Sequence, residues 1–171
     1  MTRVGERGIR TRARVRFPIS AGERRQAART WTDHPGLRHL GARMQVAADV
    51  TRAVLAPVAV HHRGGLGTAA VNGGVLAALF DLVLGLPGHL CLGTRTGTVQ
   101  LSISFMRPVH GDRVVAEGWC ERTSARHAFT AARILDEDGR VCARAQGIVA
   151  RAGGDGPGEP RAIIGPAHGK G

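Results

Sequence analysis

The chain lacks Tyr and is poor in aromatic residues of every kind, which make up 4% of its 171 residues. Aliphatic side chains and Ala must therefore fill its core, and the length suffices for one domain with such a core. Cysteine is also scarce, and the spacing of Cys91, Cys120 and Cys142 matches neither a CxxC pair nor a zinc-binding pattern. We expect buried free thiols in a reducing compartment, and no metal site.

Long uninterrupted apolar runs are missing as well. The longest is broken by Asn72, Gly73, Gly74 and Asp81, and it is too short to span a bilayer. The N-terminus has no apolar segment of the kind found in secretory signals. These absences predict a cytoplasmic protein with no membrane partner.

Acidic residues are few, with 13 Asp and Glu against 24 Lys and Arg, and the net charge is +11. Residues 1–30 hold nine Arg and two Glu, so most of the excess belongs to the N-terminal extension. The remainder is mildly basic, which suits a small phosphorylated ligand and predicts no nucleic-acid partner.

Both ends of the chain differ in composition from its middle. Residues 1–30 are Arg-rich and show no sustained helical period, so we expect a partly disordered extension with a short helix near Ala21–Thr30. Residues 152–171 are rich in Gly and Pro and predict a disordered tail. A single folded domain is left at residues 31–151.

After a short helical or turn segment at His34–Leu40, the middle of the chain shows one long helical pattern among six strand patterns. A helix that is apolar on all sides is expected from Asn72 to Leu86, where Pro87-Gly88 ends it. The predicted strands are Ala42–Ala48, Thr51–His61, Thr96–Pro108, Arg113–Thr123, His127–Leu135 and Arg140–Arg151. A helix without a polar face must be buried, so the order predicts an α+β fold in which an antiparallel sheet wraps around one long central helix.

Asp81 is the one formally charged residue between residues 64 and 94, and it lies inside this apolar helix. Burying a lone carboxylate costs several kcal/mol unless a partner or a proton neutralises it. Such a residue is a candidate for function. The alternative is a structural acid that pairs with an Arg across a subunit interface.

The helix starts with Asn72, Gly73 and Gly74. Backbone N–H groups at a helix start are unpaired, and without a Cβ a ligand carbonyl could approach them closely, as an oxyanion site requires. Asp81 is about 12 Å further along the helix. Two antiparallel helices from two subunits could close this gap, which predicts a homodimer with shared sites. The alternative is that the glycines serve only close packing on the sheet.

The run Gly67-Thr68, followed by residues 72–81, resembles the hotdog-fold acyl-CoA thioesterases of the phenylacetate-pathway (PaaI-like) group, in the 4-hydroxybenzoyl-CoA thioesterase superfamily. The strand of residues 98–108 and the following Gly111-Asp112 carry the same resemblance, which covers residues 34–151. It implies a hotdog fold, a homodimer or a tetramer, and hydrolysis of a fatty or aromatic acyl-CoA without a further cofactor.

The resemblance also implies roles for individual residues. The helix carboxylate of the family falls on Asp81, as general base or nucleophile, and its oxyanion-binding N–H falls on Gly73. Asn72 stands where the family has His, and Asn can hydrogen-bond but cannot take a proton. The strand hydroxyl of some members falls on Thr98, which could equally be an ordinary strand residue.

Substrate contacts are expected from Gly74, Leu79 and Phe80 along the helix, and from Arg107 and Arg126 for the coenzyme A phosphates. Arg63, Arg122 and Arg151 are further candidates for those phosphates. The pair His61-His62 predicts no metal site, because neighbouring strand residues point to opposite faces.

Two other functions remain open at this stage. A hotdog dehydratase or hydratase needs a His beside an acid, and the predicted helix contains no His. A non-catalytic acyl-CoA-binding or sensing protein could use its Arg-rich N-terminus on nucleic acid. Thioester hydrolysis is the leading prediction.

Overall fold

The computed structural model describes residues 14–64 and 68–152. Its helices are α1 (Ala21–Thr32), α2 (Pro35–Leu40) and α3 (Gly73–Leu92). Its strands are β1 (Ala42–Val46), β2 (Thr51–Leu55), β3 (Thr96–Phe105), β4 (Val114–Thr123), β5 (His127–Leu135) and β6 (Val141–Arg151). The predicted disordered tail, apart from Ala152, lies outside the described residues, and so do residues 1–13.

The six strands form one antiparallel sheet in the order β1-β2-β4-β5-β6-β3, and α3 packs against five of them. The core between helix and sheet is aliphatic, as the scarcity of aromatic residues requires, with Leu79, Val83 and Leu84 fully buried. The predicted succession of two strands, a helix and four strands is confirmed, and so is the wrapping of the sheet around one helix. Cys120 and Cys142 are buried, Cys91 is half-buried, and all three are free.

The N-terminal segment belongs to the folded domain from residue 14 onward. Ser20 caps α1 by accepting a hydrogen bond from the Glu23 N–H at 3.3 Å, and the Glu23 carboxylate accepts one from the Ser20 N–H at 2.7 Å. Phe17, Ile19 and Ala27 lie in the core. The predicted domain start at residue 31 is therefore too late, because three buried residues suffice to anchor a segment that shows no apolar period.

Strand β2 ends at Leu55 and not at His61 as predicted. Pro57 follows, which has no N–H to donate to a sheet ladder. The chain then forms a short 3₁₀ turn at Val60–His62.

Helix α3 continues through Pro87 to Leu92, beyond its predicted end at Leu86. Proline cannot donate to the carbonyl of Val83, four residues earlier, and this loss normally kinks or ends a helix. The buried Thr51 hydroxyl donates to that carbonyl instead, at 3.0 Å. The helix persists because β2 supplies the hydrogen bond that Pro87 cannot.

By length and composition alone, α3 could also cross a membrane. In this protein 61% of its most apolar stretch is buried, and the core helix of a folded domain passes the same test.

Strand β3 contains a bulge between Thr98 and Gln100. Strict alternation predicts Val99 on the helix-facing side, but Val99 is 62% exposed. The bulge turns Thr98 toward α3, where its Oγ1 lies 3.8 Å from the position that a Cβ would take on Gly85. This part of the predicted face assignment is wrong, because one extra residue reverses the alternation.

On the sheet face opposite α3, a buried carboxylate is held by two guanidinium groups. Glu117 accepts from Arg52 Nε at 2.6 Å and from Arg133 at 2.7 Å. Burial raises the pKa of Glu117, but the hydrogen bonds and charges of the two Arg residues outweigh burial and leave the pKa below its ordinary value. Glu117 is therefore ionised and joins β2, β4 and β5.

Glu117→Gln is expected to lower the free energy of unfolding by about 2 kcal/mol at pH 7, because two half-exposed Arg side chains lose their counter-charge. The folded-state pKa of Glu117 is lowered, so its contribution is complete above the unfolded pKa of about 4.3 and is lost as pH falls through the folded value. Urea unfolding at pH 7 and near pH 3 measures this. An equal difference between variant and wild type at both pH values would contradict it.

Candidate active site

The N-terminus of α3 is capped by Asn72. The side-chain Oδ1 of Asn72 accepts a hydrogen bond from the Gly74 N–H at 2.7 Å, and the Asn72 N–H donates to the carbonyl of His62 at 2.8 Å. The Asn72 side chain thus occupies the Gly74 N–H. The prediction that Gly74 contacts the substrate is wrong for this N–H group. The side-chain NH₂ of Asn72 remains as a donor.

The Gly73 N–H is an open donor at this helix start. Within residues 14–64 and 68–152, no acceptor pairs with it. A Cβ on Gly73 would lie 3.6 Å from the ring of Phe105, so this ring forms an apolar wall beside the amide. A helix N-terminus next to an apolar wall is suited to hold a developing oxyanion. Strict alternation along β3 puts Phe105 on the same face as Val99, and nothing in the sequence indicates its contact with Gly73.

Asp81 is exposed in the protomer, and the prediction that it is buried is wrong. The sheet covers the side of α3 that carries Leu79 and Val83, and it leaves uncovered the side that carries Asp81 and the half-buried Gly85. No described side chain hydrogen-bonds or ion-pairs with Asp81. The carboxylate is therefore free to act on a ligand, and it lies about 12 Å along the helix from Gly73.

Thr98 and Trp31 both lie next to Gly85, one turn beyond Asp81. A Cβ on Gly85 would lie 4.0 Å from Trp31 Cη2 and 3.8 Å from Thr98 Oγ1. The Trp31 ring stacks on His34 with the ring centroids 5.6 Å apart, and it lies 6.5 Å from the ring of His89. Sequence reasoning missed Trp31 because it assigned the preceding residues to a mobile extension.

Leu79 and Phe80 do not line the open face of α3. Both are fully buried in the core between helix and sheet. Their predicted contact with substrate is wrong for this structure, because they lie on the sheet-facing side of the helix. Small residues and Asp81 occupy the open side.

Among the Arg candidates for phosphate binding, three are held by other groups. Arg63 pairs with Asp112 at 2.9 Å, Arg122 stacks on the Phe129 ring at 3.6 Å, and Arg151 donates to the Leu92 carbonyl at 3.2 Å. Arg107 and Arg126 differ from these three.

Arg107 and Arg126 are exposed, and no described side chain pairs with either of them. Arg107 follows the end of β3 at Phe105. Arg126 lies in the turn before β5, and its carbonyl accepts from the Arg151 N–H near the start of β3. The two guanidinium groups are thus at opposite ends of β3, roughly 30 Å apart in one protomer.

A cavity of about 320 Å³ adjoins Arg107. Two Arg residues face three carboxylates there, and the lining consists of Arg107, Pro108, His110, Asp136, Glu137, Asp138, Arg140 and Cys142. Burial and the neighbouring Asp136 raise the pKa of the Cys142 thiol. The three carboxylates make the cavity unsuited to a polyphosphate. Arg107 can bind phosphate only on its solvent-exposed side, away from the cavity.

The His61-His62 pair lies in the 3₁₀ turn and not in a strand, so the argument from opposite strand faces does not apply. The two rings are in contact at 4.0 Å between centroids. His62 Nδ1 accepts from the Ala59 N–H at 3.0 Å, and burial lowers the pKa of His62. In the described part of the chain, no group of three His, Cys, Asp or Glu residues could hold a metal ion.

Comparison with known proteins finds a family model that matches the central part of the chain. Residues 69–143 match the model of the thioesterase superfamily. This stretch includes α3 with Asn72, Gly73 and Asp81, and also β3 with Thr98. No curated protein matches the chain.

Solved structures share the fold. A thioesterase from Haemophilus influenzae is 20% identical, with a TM-score of 0.63 over 70% of this chain and 83% of that one. The PaaI protein of the Escherichia coli phenylacetic acid degradation operon is 16% identical, with a TM-score of 0.65 over 77% and 96%. A thioesterase family protein from Silicibacter pomeroyi is 15% identical, with a TM-score of 0.62 over 74% and 95%.

At these identities the structures show the fold alone, and that fold is the predicted hotdog fold. Together with the family match, they confirm the resemblance to the hotdog-fold thioesterases. The match supports thioester hydrolysis as the class of reaction.

Proposed function

We propose that this hotdog protein, whose residues 69–143 match the thioesterase superfamily, hydrolyses an acyl-coenzyme A to the free acid and coenzyme A. The observation that carries the proposal is the pair of functional groups on α3. The Gly73 N–H has no acceptor among the described residues, and the Asp81 carboxylate is exposed and unpaired. One group can stabilise negative charge, and the other can take a proton or attack.

The chemistry follows from these two groups. The Gly73 N–H donates to the thioester carbonyl oxygen and stabilises the negative charge that develops there. Asp81 removes a proton from the attacking water as general base, or attacks the carbonyl carbon itself. On the base route the C–S bond breaks and the proton held by Asp81 passes to the thiolate, so that coenzyme A leaves as the thiol. On the nucleophile route coenzyme A leaves as thiolate and takes a proton from water, and a second water hydrolyses the acyl-Asp81 anhydride to the free acid. Asn72 through its NH₂ group and Thr98 through its hydroxyl orient water or the carboxylate. No cofactor is needed beyond the coenzyme A of the substrate.

The separation of Gly73 and Asp81 favours two shared sites in a homodimer. β3 is an edge strand, and its exposed apolar residues Val99 and Phe105 continue into the exposed Met106. Long apolar edge strands pair readily with another chain. We infer that β3 pairs antiparallel with β3 of a second copy, which brings the two α3 helices together in opposite directions. Two such dimers could assemble into a tetramer.

This pairing would also bring Arg107 of one subunit close to Arg126 of the other. Antiparallel β3 strands set the Phe105 end of one protomer beside the Thr96 end of its partner. Arg107 of one subunit and Arg126 of the other then lie at the same end of the joined sheet. Two unpaired guanidinium groups there suit the phosphates of coenzyme A. We also propose that the protein acts on small-molecule substrates in the cytoplasm rather than on nucleic acid.

Gly73→Pro is expected to lower kcat by about 10²-fold, because it removes the N–H that stabilises the oxyanion. Proline is tolerated at the first position of a helix, and Asn72 already has the extended backbone that precedes proline, with φ −61° and ψ 136°. The helix should therefore still form. Turnover is measured by thiol release from acyl-CoA.

Gly73→Ala is the matched control, since it keeps the N–H and its Cβ would make only ordinary contact with Phe105. Because its Cβ narrows the approach of the carbonyl, we expect Ala to lose part of the activity, but much less than Pro. If the Pro and Ala variants lose activity equally, the amide is not the oxyanion donor.

A panel of short, long and aromatic acyl-CoAs tests the proposed function itself. Turnover with release of free thiol supports the hydrolase. Saturable binding without turnover would contradict it and favour an acyl-CoA sensor. In that case salt-dependent DNA binding, with and without residues 1–30, shows whether the sensor acts on nucleic acid.

A further inference from the structure

The start of α3 is tied to the 3₁₀ turn at Val60–His62. The Asn72 N–H donates to the carbonyl of His62 at 2.8 Å, and Asn72 is the cap that directly precedes Gly73. The neighbouring residues Arg63 and Val71 form an antiparallel bridge. The position of the Gly73 amide is therefore set in part by the backbone of His62.

The 3₁₀ turn is itself closed by two reciprocal hydrogen bonds between His62 and Ala59. The His62 N–H donates to the Ala59 carbonyl at 3.0 Å, and the Ala59 N–H donates to Nδ1 of the His62 ring at 3.0 Å. His62 is only 3% exposed, and its Nε2 atom makes no hydrogen bond with any described residue. This side chain therefore holds the turn through its Nδ1 acceptor.

The hydrogen bond at Nδ1 requires the neutral ring. A ring nitrogen that accepts from an N–H carries no proton, so the proton of the neutral imidazole is on Nε2. On protonation Nδ1 becomes a donor as well, and it would face the Ala59 N–H, which is also a donor. Protonation therefore breaks this hydrogen bond and releases the turn that positions Asn72.

The surroundings of His62 oppose its protonation. Burial lowers the pKa of His62 most, and the charges of His61, of Arg63 and of His39 in α2 lower it further, while the Leu40 carbonyl of α2 raises it. The rings of His61 and His62 are in contact, with their centroids 4.0 Å apart. The His62 ring is therefore neutral at pH 7, and it takes up a proton only below the ordinary value of about 6.5.

We propose that His62 is a positioning residue for the oxyanion site of this enzyme: its neutral ring holds the start of α3, and protonation of the ring moves the Gly73 amide away from the substrate carbonyl. The inference rests on the proposed thioester hydrolysis. His62 acts through the backbone of Asn72 and not on the reacting atoms. Loss of its hydrogen bond should lower kcat more than it raises KM, because a displaced oxyanion donor weakens binding of the transition state above all.

His62→Asn and His62→Leu separate the hydrogen bond from the bulk of the side chain. The Oδ1 atom of Asn can accept from the Ala59 N–H in place of Nδ1 but does not take up a proton, and Leu offers no acceptor. At pH 7.5 we expect kcat to fall about tenfold in the Leu variant, with KM changed less than about twofold. The Asn variant should keep kcat within about threefold of the wild type.

The acid side of the pH profile is the readout that a merely structural role would not move. Between pH 7.5 and pH 5, the wild type should lose at least about twofold more of its kcat than His62→Asn does, because only the wild type can protonate this ring. Both proteins need an ionised Asp81, so its contribution cancels from the ratio.

His61→Asn is the matched control, since His61 is the exposed neighbour of His62. This variant should keep wild-type turnover at pH 7.5 and also keep the acid loss. The loss should begin at slightly higher pH, because the charge of His61 no longer lowers the pKa of His62.

Nuclear magnetic resonance gives a readout that needs neither turnover nor a folded variant. In the isotope-labelled wild type, the Gly73 amide resonance should move with pH at the same midpoint as the His62 ring, below the ordinary value of about 6.5. In His62→Asn this part of the Gly73 titration should disappear.

The outcomes separate this inference from the proposed function. Hydrolysis by the wild type with an equal acid loss in His62→Asn, or different midpoints for His62 and Gly73, would overturn the role of His62 and leave the hydrolase standing. No hydrolysis of any acyl-CoA would overturn the hydrolase. The two midpoints then decide whether His62 holds the start of α3.

Discussion

Asp81→Asn is expected to lower kcat for thioester hydrolysis by about 10³-fold, a loss within the range for removal of a general base. Asn has nearly the size of Asp but cannot accept a proton at neutral pH. Asp81 is exposed and unpaired within the described residues, so the change should leave the fold and the dimer intact. Thiol release measures turnover, and gel filtration measures the oligomeric state.

Asp49→Asn serves as the matched control. Asp49 lies in the turn between β1 and β2, and no described side chain pairs with it. It should keep wild-type turnover. Turnover near the wild-type rate in the Asp81 variant would rule out both the base and the nucleophile role.

Gly118→Ala is expected to lower the free energy of unfolding by about 3 kcal/mol or more, because there is no room for a methyl group between β4 and α3. A Cβ on Gly118 would overlap the backbone carbonyl of Val83. The Thr51 hydroxyl donates to that carbonyl at 3.0 Å in place of the missing Pro87 N–H. Pushing the helix away from the sheet would thus break the hydrogen bond that lets α3 pass Pro87. Urea unfolding measures the loss.

The control is Gly22→Ala in α1. A Cβ there would meet Ser20 and Arg25 only at 3.8 and 3.9 Å, and Ala favours a helix more than Gly does. This variant should be as stable as the wild type or slightly more stable. Equal stability of the Gly118 and Gly22 variants would show that α3 does not rest on β4 at this point.

The hydrophobic pattern was enough to predict the element order, because an all-round apolar helix among alternating strands has few other ways to be buried. It also placed Asn72 and Gly73 at a helix start. The resemblance supplied the role of Gly73 and the class of reaction.

Other features depend on contacts between segments that are distant in sequence. A proline such as Pro87 reads as a helix end, and only Thr51 on another element changes that. The β3 bulge places Thr98 instead of Val99 on the helix side, and the alternating sequence gives no sign of this bulge. Asp81 was predicted to be buried because α3 is apolar all round, yet the sheet of one protomer covers only part of the helix.

Because Asp81 is exposed, its carboxylate is not a costly buried charge but a charge that a ligand can reach. It also shows an uncovered side of α3 that the proposed partner subunit and the substrate would share. Trp31, which directly follows the segment expected to be partly disordered, lies at the edge of that side, next to Gly85.

The most direct test of shared sites mixes two inactive proteins. Asp81→Asn and Gly73→Pro are unfolded together, refolded and allowed to form dimers. If each site takes Asp81 from one subunit and Gly73 from the other, half of the dimers are mixed and each of these has one intact site, so about a quarter of wild-type turnover returns. If both groups act within one subunit, no mixed dimer has an intact site, and activity that stays at the level of the two parents would contradict the account.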